Sequence, residues 1–143
     1  MPEAEADMPA VRTFIVENSP VIRENLAGTL QELARVEVIG CAADEASAVD
    51  WMSGAAASHA DVVIVDVLLD AGSGLGVLSA AQRLGVAARR IVLTSYATAE
   101  MRRRCASLGA ERVFDKSRQL DELISYCAAL SGLCGCEEQS RTA

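Results

Sequence analysis

The stretch "ADVVIVDVLLD", residues 60–70, decides the reading of this chain. Val62, Val63, Ile64 and Val65 form an unbroken apolar run, long enough for a strand buried on both faces. Asp66 ends that run. A carboxylate in such surroundings is costly unless something pairs with it. Strands buried on both faces belong to parallel sheets covered by helices on each side, and such sheets need a crossover between strands.

The chain on either side of residues 60–70 supplies those crossovers. "VRTFIV" (11–16) reads as a first strand. Ser19 and Pro20 then start a helix, as cap and first helical residue, with Ile22, Leu26, Leu30 and Leu33 on one face. "VEVIGC" (36–41) reads as the second strand. Asp44 caps a helix running to about Ala57, with Val49 and Met52 inward. After the third strand, Gly72, Ser73 and Gly74 lead into a helix carrying Leu75, Leu78 and Leu84. "RRIVLTS" (89–95) is the fourth strand. Met101, Cys105 and Leu108 mark the next helix, stopped by Gly109. "RVFD" (112–115) is the fifth strand. Ser117 caps a last helix with Leu120, Leu123, Ile124, Cys127 and Leu130 on its inner face. Strict β-α alternation with right-handed crossovers predicts an α/β, doubly wound, five-stranded parallel sheet with helices on both faces. The expected division is an acidic disordered lead (1–10), one folded domain (11–131) and a disordered polar tail (132–143).

Composition narrows the function. The 143 residues are 51% hydrophobic with a net charge of −7 and 3% aromatics, which argues against nucleic-acid binding by charge or base stacking. No apolar run reaches membrane-spanning length and "MPEAEADMPA" lacks the features of a secretory signal, so no membrane association and a cytoplasmic location are expected. Cys41, Cys105, Cys127, Cys134 and Cys136 read as reduced thiols, and none of them forms a CxxC pair. His59, the single histidine, stands in a polar loop and makes no Ser-His-Asp set. "GSGLG" (72–76) is too weak a match to a nucleotide-binding fingerprint, and no Walker-type loop occurs.

Ligands of an open parallel sheet bind beyond the carboxyl ends of its strands. Four of the five strands deliver polar groups there: Glu17-Asn18, Asp66, Thr94-Ser95 and Asp115-Lys116. Glu17 and Asp66 are hard oxygen ligands for a divalent cation, Thr94 offers a hydroxyl and Lys116 a positive charge. Together they describe a metal-assisted anion site.

With "FIVENSP", "VIVDVLLDAGSGLGVL", "IVLTSYA" and "GAERVFDKS" in order, residues 11–131 resemble a response-regulator receiver domain of two-component signalling, of the single-domain type. The resemblance implies the flavodoxin-like strand order 2-1-3-4-5. It implies that Asp66 accepts a phosphoryl group from a histidine kinase or phosphotransfer protein, with Thr94 and Lys116 holding the phosphoryl oxygens. It also implies that Mg²⁺ is bound by Glu17, Asn18, Asp66 and the backbone carbonyl of Leu68. Output would run through protein–protein contact rather than an enzymatic reaction. The helix that turns Met101 and Cys105 inward leaves Arg102, Arg103 and Arg104 pointing outward, either as a solvated face or toward a partner; the resemblance implies that this helix belongs to the family's common docking and dimer surface, where an effector or a second copy would bind. Four positions depart from the family pattern: Asn18 where a second acid is common, Asp70 and Ser117 where prolines are usual, and Val113 where an aromatic usually reports the switch. Asn18 and Val113 favour, as an alternative, a receiver-like module that acts without phosphorylation. A small metal-dependent phosphohydrolase is a third reading, but it would need a further acid or base.

Overall fold

The computed structural model describes residues 10–132. The acidic lead and the polar tail with Cys134 and Cys136 lie outside the described residues, apart from Ala10 and Gly132. The elements alternate as expected: β1 Val11–Val16, α1 Pro20–Leu33, β2 Val36–Ala42, α2 Glu45–Met52, β3 Val62–Val65, α3 Gly74–Leu84, β4 Arg89–Thr94, α4 Ala99–Ser107, β5 Arg112–Asp115 and α5 Leu120–Gly132. All strand pairs are parallel, and the sheet order is β2-β1-β3-β4-β5.

The valine-isoleucine run of β3 is the centre of the sheet. Its four residues are almost wholly buried and alternate between the faces. Val62 and Ile64 pack with Leu26 and Leu30 of α1 and Leu123 and Cys127 of α5. Val63 and Val65 pack with Ala48 and Met52 of α2 and Val77, Ala80 and Ala81 of α3. Each such side chain stabilises the fold by about 1.5–3 kcal/mol through loss of apolar surface to water. Phe114 packs into the α1–α5 side and Val113 into the opposite side with Cys105, as the strand period requires.

Several local expectations are corrected. Ile22, Leu33, Leu84 and Leu120 are exposed, because each lies at a helix end beyond the reach of the sheet. The helix capped by Asp44 ends at Met52 rather than near Ala57, and a 3₁₀ turn follows over Ala55–His59. Ser117 does not cap α5. Its N–H and hydroxyl both go back to Asp115 Oδ1, and the helix begins three residues later at Leu120.

Candidate functional site

Strand register sets the site. Val16 pairs with Val65, so Glu17 and Asp66 leave neighbouring strands side by side. Thr94 pairs with Asp115, which places Lys116 one step beyond β4. The backbone holds each departure: Asp66 N–H donates to Val16 O at 3.0 Å, and Lys116 N–H donates to Thr94 O at 2.9 Å.

Three of the expected residues meet directly. Lys116 Nζ donates to Asp66 Oδ2 at 2.7 Å and to Glu17 Oε1 at 2.8 Å. The two carboxylates are buried, with side chains 8% and 4% exposed. One ammonium shared by two carboxylates leaves a net negative charge in a low-dielectric corner. Burial therefore pushes the Asp66 carboxyl above its ordinary pKa, with Lys116 pulling it back and Glu17 adding to the rise. Burial works against the Lys116 ammonium too, but the two carboxylates together outweigh it and hold its pKa above the ordinary value. Glu17 is fixed further: its Oε2 accepts from Ser19 N–H at 3.0 Å, and its carbonyl accepts from Arg23 Nη1 at 2.6 Å.

Asn18, Leu68, Asp70, Ser95 and Tyr96 line the same depression of about 400 Å³ as Glu17, Asp66 and Lys116. Asn18 Nδ2 donates to Asp70 Oδ1 at 3.0 Å, which leaves the amide oxygen as its remaining ligand atom. Leu68 N–H donates to Asp66 Oδ1 at 3.3 Å. Thr94 stands apart from the trio. It is fully buried, and its hydroxyl accepts from Tyr96 N–H at 3.2 Å. The donor set fits Mg²⁺: the two carboxylates and the Asn18 amide are hard oxygen groups on residues that line one depression, with Leu68 on its rim. Among the described residues no three His, Cys, Asp or Glu side chains cluster so as to hold a metal ion, so amide, carbonyl and water would complete the shell.

Sequence reasoning missed Glu45. Its Oε1 accepts from Ser73 N–H at 3.0 Å, and its backbone N–H donates to Ala71 O at 3.1 Å. The side chain packs so closely on Gly72 and Gly76 that a Cβ at either glycine would collide with it. Glu45 thus ties α2 to the loop that follows Asp66. The signal was the pair of glycines in "GSGLG", which make room for this carboxylate. Their opposing residue lies 27 positions or more away and is not visible in the local pattern.

The arginine cluster is also corrected. Arg103 and Arg104 are exposed, but Arg102 turns inward. It donates to Ala97 O at 3.1 Å, Val113 O at 2.8 Å and Gln119 Oε1 at 2.8 Å. The helix period alone put Arg102 outside; a long side chain reaching along the surface reverses that.

Comparison with known proteins agrees with this fold. The model of the response regulator receiver domain matches residues 13–128. The alkaline phosphatase synthesis transcriptional regulatory protein SphR of Synechococcus elongatus is 29% identical over 131 residues, covering 87% of this chain and 50% of SphR. The positive transcription regulator BvgA of Bordetella pertussis is 29% identical over 119 residues, covering 83% of this chain and 55% of BvgA. The chain spans about half the length of these curated relatives. Among solved structures, the signal receiver domain of NarL from Mycobacterium tuberculosis superposes with a TM-score of 0.75 at 20% identity, covering 86% of this chain and 97% of that one. CheX-CheY-BeF₃-Mg²⁺ from Borrelia burgdorferi gives a TM-score of 0.77 at 19% identity, with 89% and 92% covered.

Proposed function

The chain belongs to the response regulator receiver domain family, a family of signalling modules, and from that premise we propose that Asp66 accepts a phosphoryl group from a histidine kinase or phosphotransfer protein. The observation that carries the proposal is Lys116 bridging Asp66 and Glu17 beside an open depression. Asp66 is the one carboxylate that leaves the central strand. An ionised carboxylate needs no separate base to attack phosphorus. In the transfer, the bond from phosphorus to the donor's histidine nitrogen breaks and a bond to a carboxylate oxygen of Asp66 forms. Lys116 stays within reach of the product to hold a phosphoryl oxygen, and the Thr94 hydroxyl turns from accepting Tyr96 N–H to donating its own proton to another phosphoryl oxygen. Glu17, Asn18, Asp66 and the Leu68 carbonyl would hold Mg²⁺, which when bound neutralises charge on the transferring group.

The proposed output is protein–protein contact, with a histidine kinase or phosphotransfer protein upstream and an effector or a second copy downstream on the face bearing Arg103 and Arg104. Among the described residues no helix is long and apolar enough to cross a membrane; a cytoplasmic setting is part of the proposal. The net charge of −7 supports a protein partner over nucleic acid.

One observation favours the phosphorylation-independent reading: Asn18, standing where a second acid is common, gives its amide nitrogen to Asp70. A single measurement separates the two. Incubation with a small phosphodonor and Mg²⁺ should add about 80 mass units, roughly one phosphoryl group, to the intact protein, and Asp66→Asn should not gain it. A full gain in the Asn variant sinks the assignment. No gain in either protein moves the weight to the alternative.

A further inference from the structure

We infer that Arg102 is the relay that carries the state of the Thr94 loop to β5 and the start of α5, in place of an aromatic side chain at residue 113. The inference rests on the receiver reading of Asp66 and Thr94. The Val113 side chain has no ring to swing and no polar atom to anchor, and a different side chain connects these elements. One guanidinium does so. Its Nε donates to Ala97 O at 3.1 Å, in the loop after Thr94. Its Nη1 donates to Val113 O at 2.8 Å, on β5. Its Nη2 donates to Gln119 Oε1 at 2.8 Å, just before α5.

Gln119 closes the clamp. The same Oε1 accepts from Asp115 N–H at 2.9 Å, and its Nε2 donates to Glu122 Oε1 at 2.7 Å. β5 is the edge strand, and Lys116 N–H faces β4. The groups Val113 O and Asp115 N–H therefore lie on the outer side, where Arg102 and Gln119 cover them. From the other end, hydrogen bonds lead from Thr94 to the same residue. Thr94 Oγ1 accepts from Tyr96 N–H, Tyr96 O from Thr98 N–H at 2.8 Å, and Thr98 O from Arg102 N–H at 2.8 Å.

The rigidity of the guanidinium makes this a relay rather than a static brace. Its donors form a planar fork, so displacing one acceptor tilts the plane away from the others. When the Thr94 hydroxyl leaves Tyr96 N–H for a phosphoryl oxygen, the Tyr96–Ala97 segment loses its tether and the Ala97 carbonyl shifts. Arg102 then has two arrangements: three acceptors held, or the loop arm released with β5 and Gln119 re-seated. Lysine, a point charge with no fork, cannot link all three acceptors in one geometry.

The test reads backbone and side-chain amide NMR shifts and needs no phosphoryl group. Thr94→Val removes the hydroxyl that accepts from Tyr96. In the otherwise native protein this change should shift the backbone amides of Tyr96 and of Asp115, the strand partner of Thr94, and also the side-chain amide of Gln119. With Arg102→Ala, and equally with Arg102→Lys, the Tyr96 and Asp115 shifts should persist and the Gln119 side-chain shift should vanish. Where Arg102→Ala fails to fold, Arg102→Lys gives the same reading. A full Gln119 side-chain response in the Arg102 variants overturns the relay. Because the readout does not use Asp66, loss of the relay leaves the phosphorylation assignment standing, and failure of phosphorylation leaves the relay result standing.

Discussion

Asn18 is where this site departs most from a triply acidic one. Its amide nitrogen is engaged by Asp70, itself a replacement for a usual proline, so the two departures are coupled. The pair offers the depression an amide oxygen in place of a charge. One unit charge at about 4 Å is worth roughly 4 kcal/mol at an effective dielectric near 20, and twice that against a divalent ion. Crowding a third carboxylate against Glu17 and Asp66 cancels most of this gain through desolvation and repulsion. A residual of about 1–2 kcal/mol corresponds to roughly five- to thirtyfold in affinity. Asn18→Asp should therefore tighten Mg²⁺ binding by about that factor in a calorimetric titration. It should also lower the thermal midpoint in the absence of metal, since the introduced carboxylate would face Asp70 with no donor between them. Unchanged binding would mean that residue 18 does not reach the ion.

Among the elements, helix positions of glycine give opposite expectations. Gly28 sits exposed inside α1, and a Cβ there would meet nothing within 4 Å, so Gly28→Ala gains helix propensity without a clash. It should stabilise the protein by about 0.5–1 kcal/mol, seen as a rise of about 2–4 °C in thermal midpoint. Gly74 opens α3 directly against the backbone of Asp66 and Val67, where a Cβ would collide with Asp66 O. Gly74→Ala should cost stability and displace the acceptor loop, visible as loss of phosphodonor labelling at unchanged Mg²⁺. Helix α5 makes a pH-dependent contribution. Burial raises Cys127 from 9.0 to about 11, and Tyr126 on the same helix is raised as well. A group with a raised folded pKa contributes stability in full below its unfolded value and loses it as pH climbs through the folded one. The thiol thus contributes about 2–3 kcal/mol that fades between about pH 9 and 11. Cys127→Ala should flatten that part of a denaturation-versus-pH profile, and an unchanged slope would contradict it. The same elements show what sequence could reveal. Strand β3 was legible because a run of valine and isoleucine has one use, and Glu17, Asp66 and Lys116 because each follows the end of a strand. Glu45, Gln119 and the inward turn of Arg102 were not legible, since each depends on a partner distant in sequence and on the reach of a long side chain.

At the scale of the whole molecule, stability is unevenly spread, and the clamp sits at its weak end. β1, β3 and β4 are paired on both sides, whereas β2 and β5 form the edges. β2 carries a register shift opposite Thr13 and Phe14, and β5 is four residues long with its outer groups taken by Arg102 and Gln119. Both features discourage edge-to-edge pairing. α3 buries Gly74, Val77, Leu78, Ala80 and Ala81, while α4 buries only Cys105. Apolar burial is the main force holding a helix to a sheet, so α4 relies on the Thr98 cap and the Arg102 bonds. Local opening in a folded domain ranges from near zero free energy to the global value, and poorly buried elements open first. The amides of α4 should therefore exchange with deuterium before those of β1 and β3, by about a hundredfold or more, since roughly 3 kcal/mol separates such rates. Loop motion that frees Arg102 from Ala97 should widen the gap, so Arg102→Ala should speed exchange in α4 and leave Ile15 and Ile64 unchanged. Exchange in α4 as slow as in β3 would show that the helix is held by contacts other than these, and that the face bearing Arg103 and Arg104 is too rigid to report a change at Thr94.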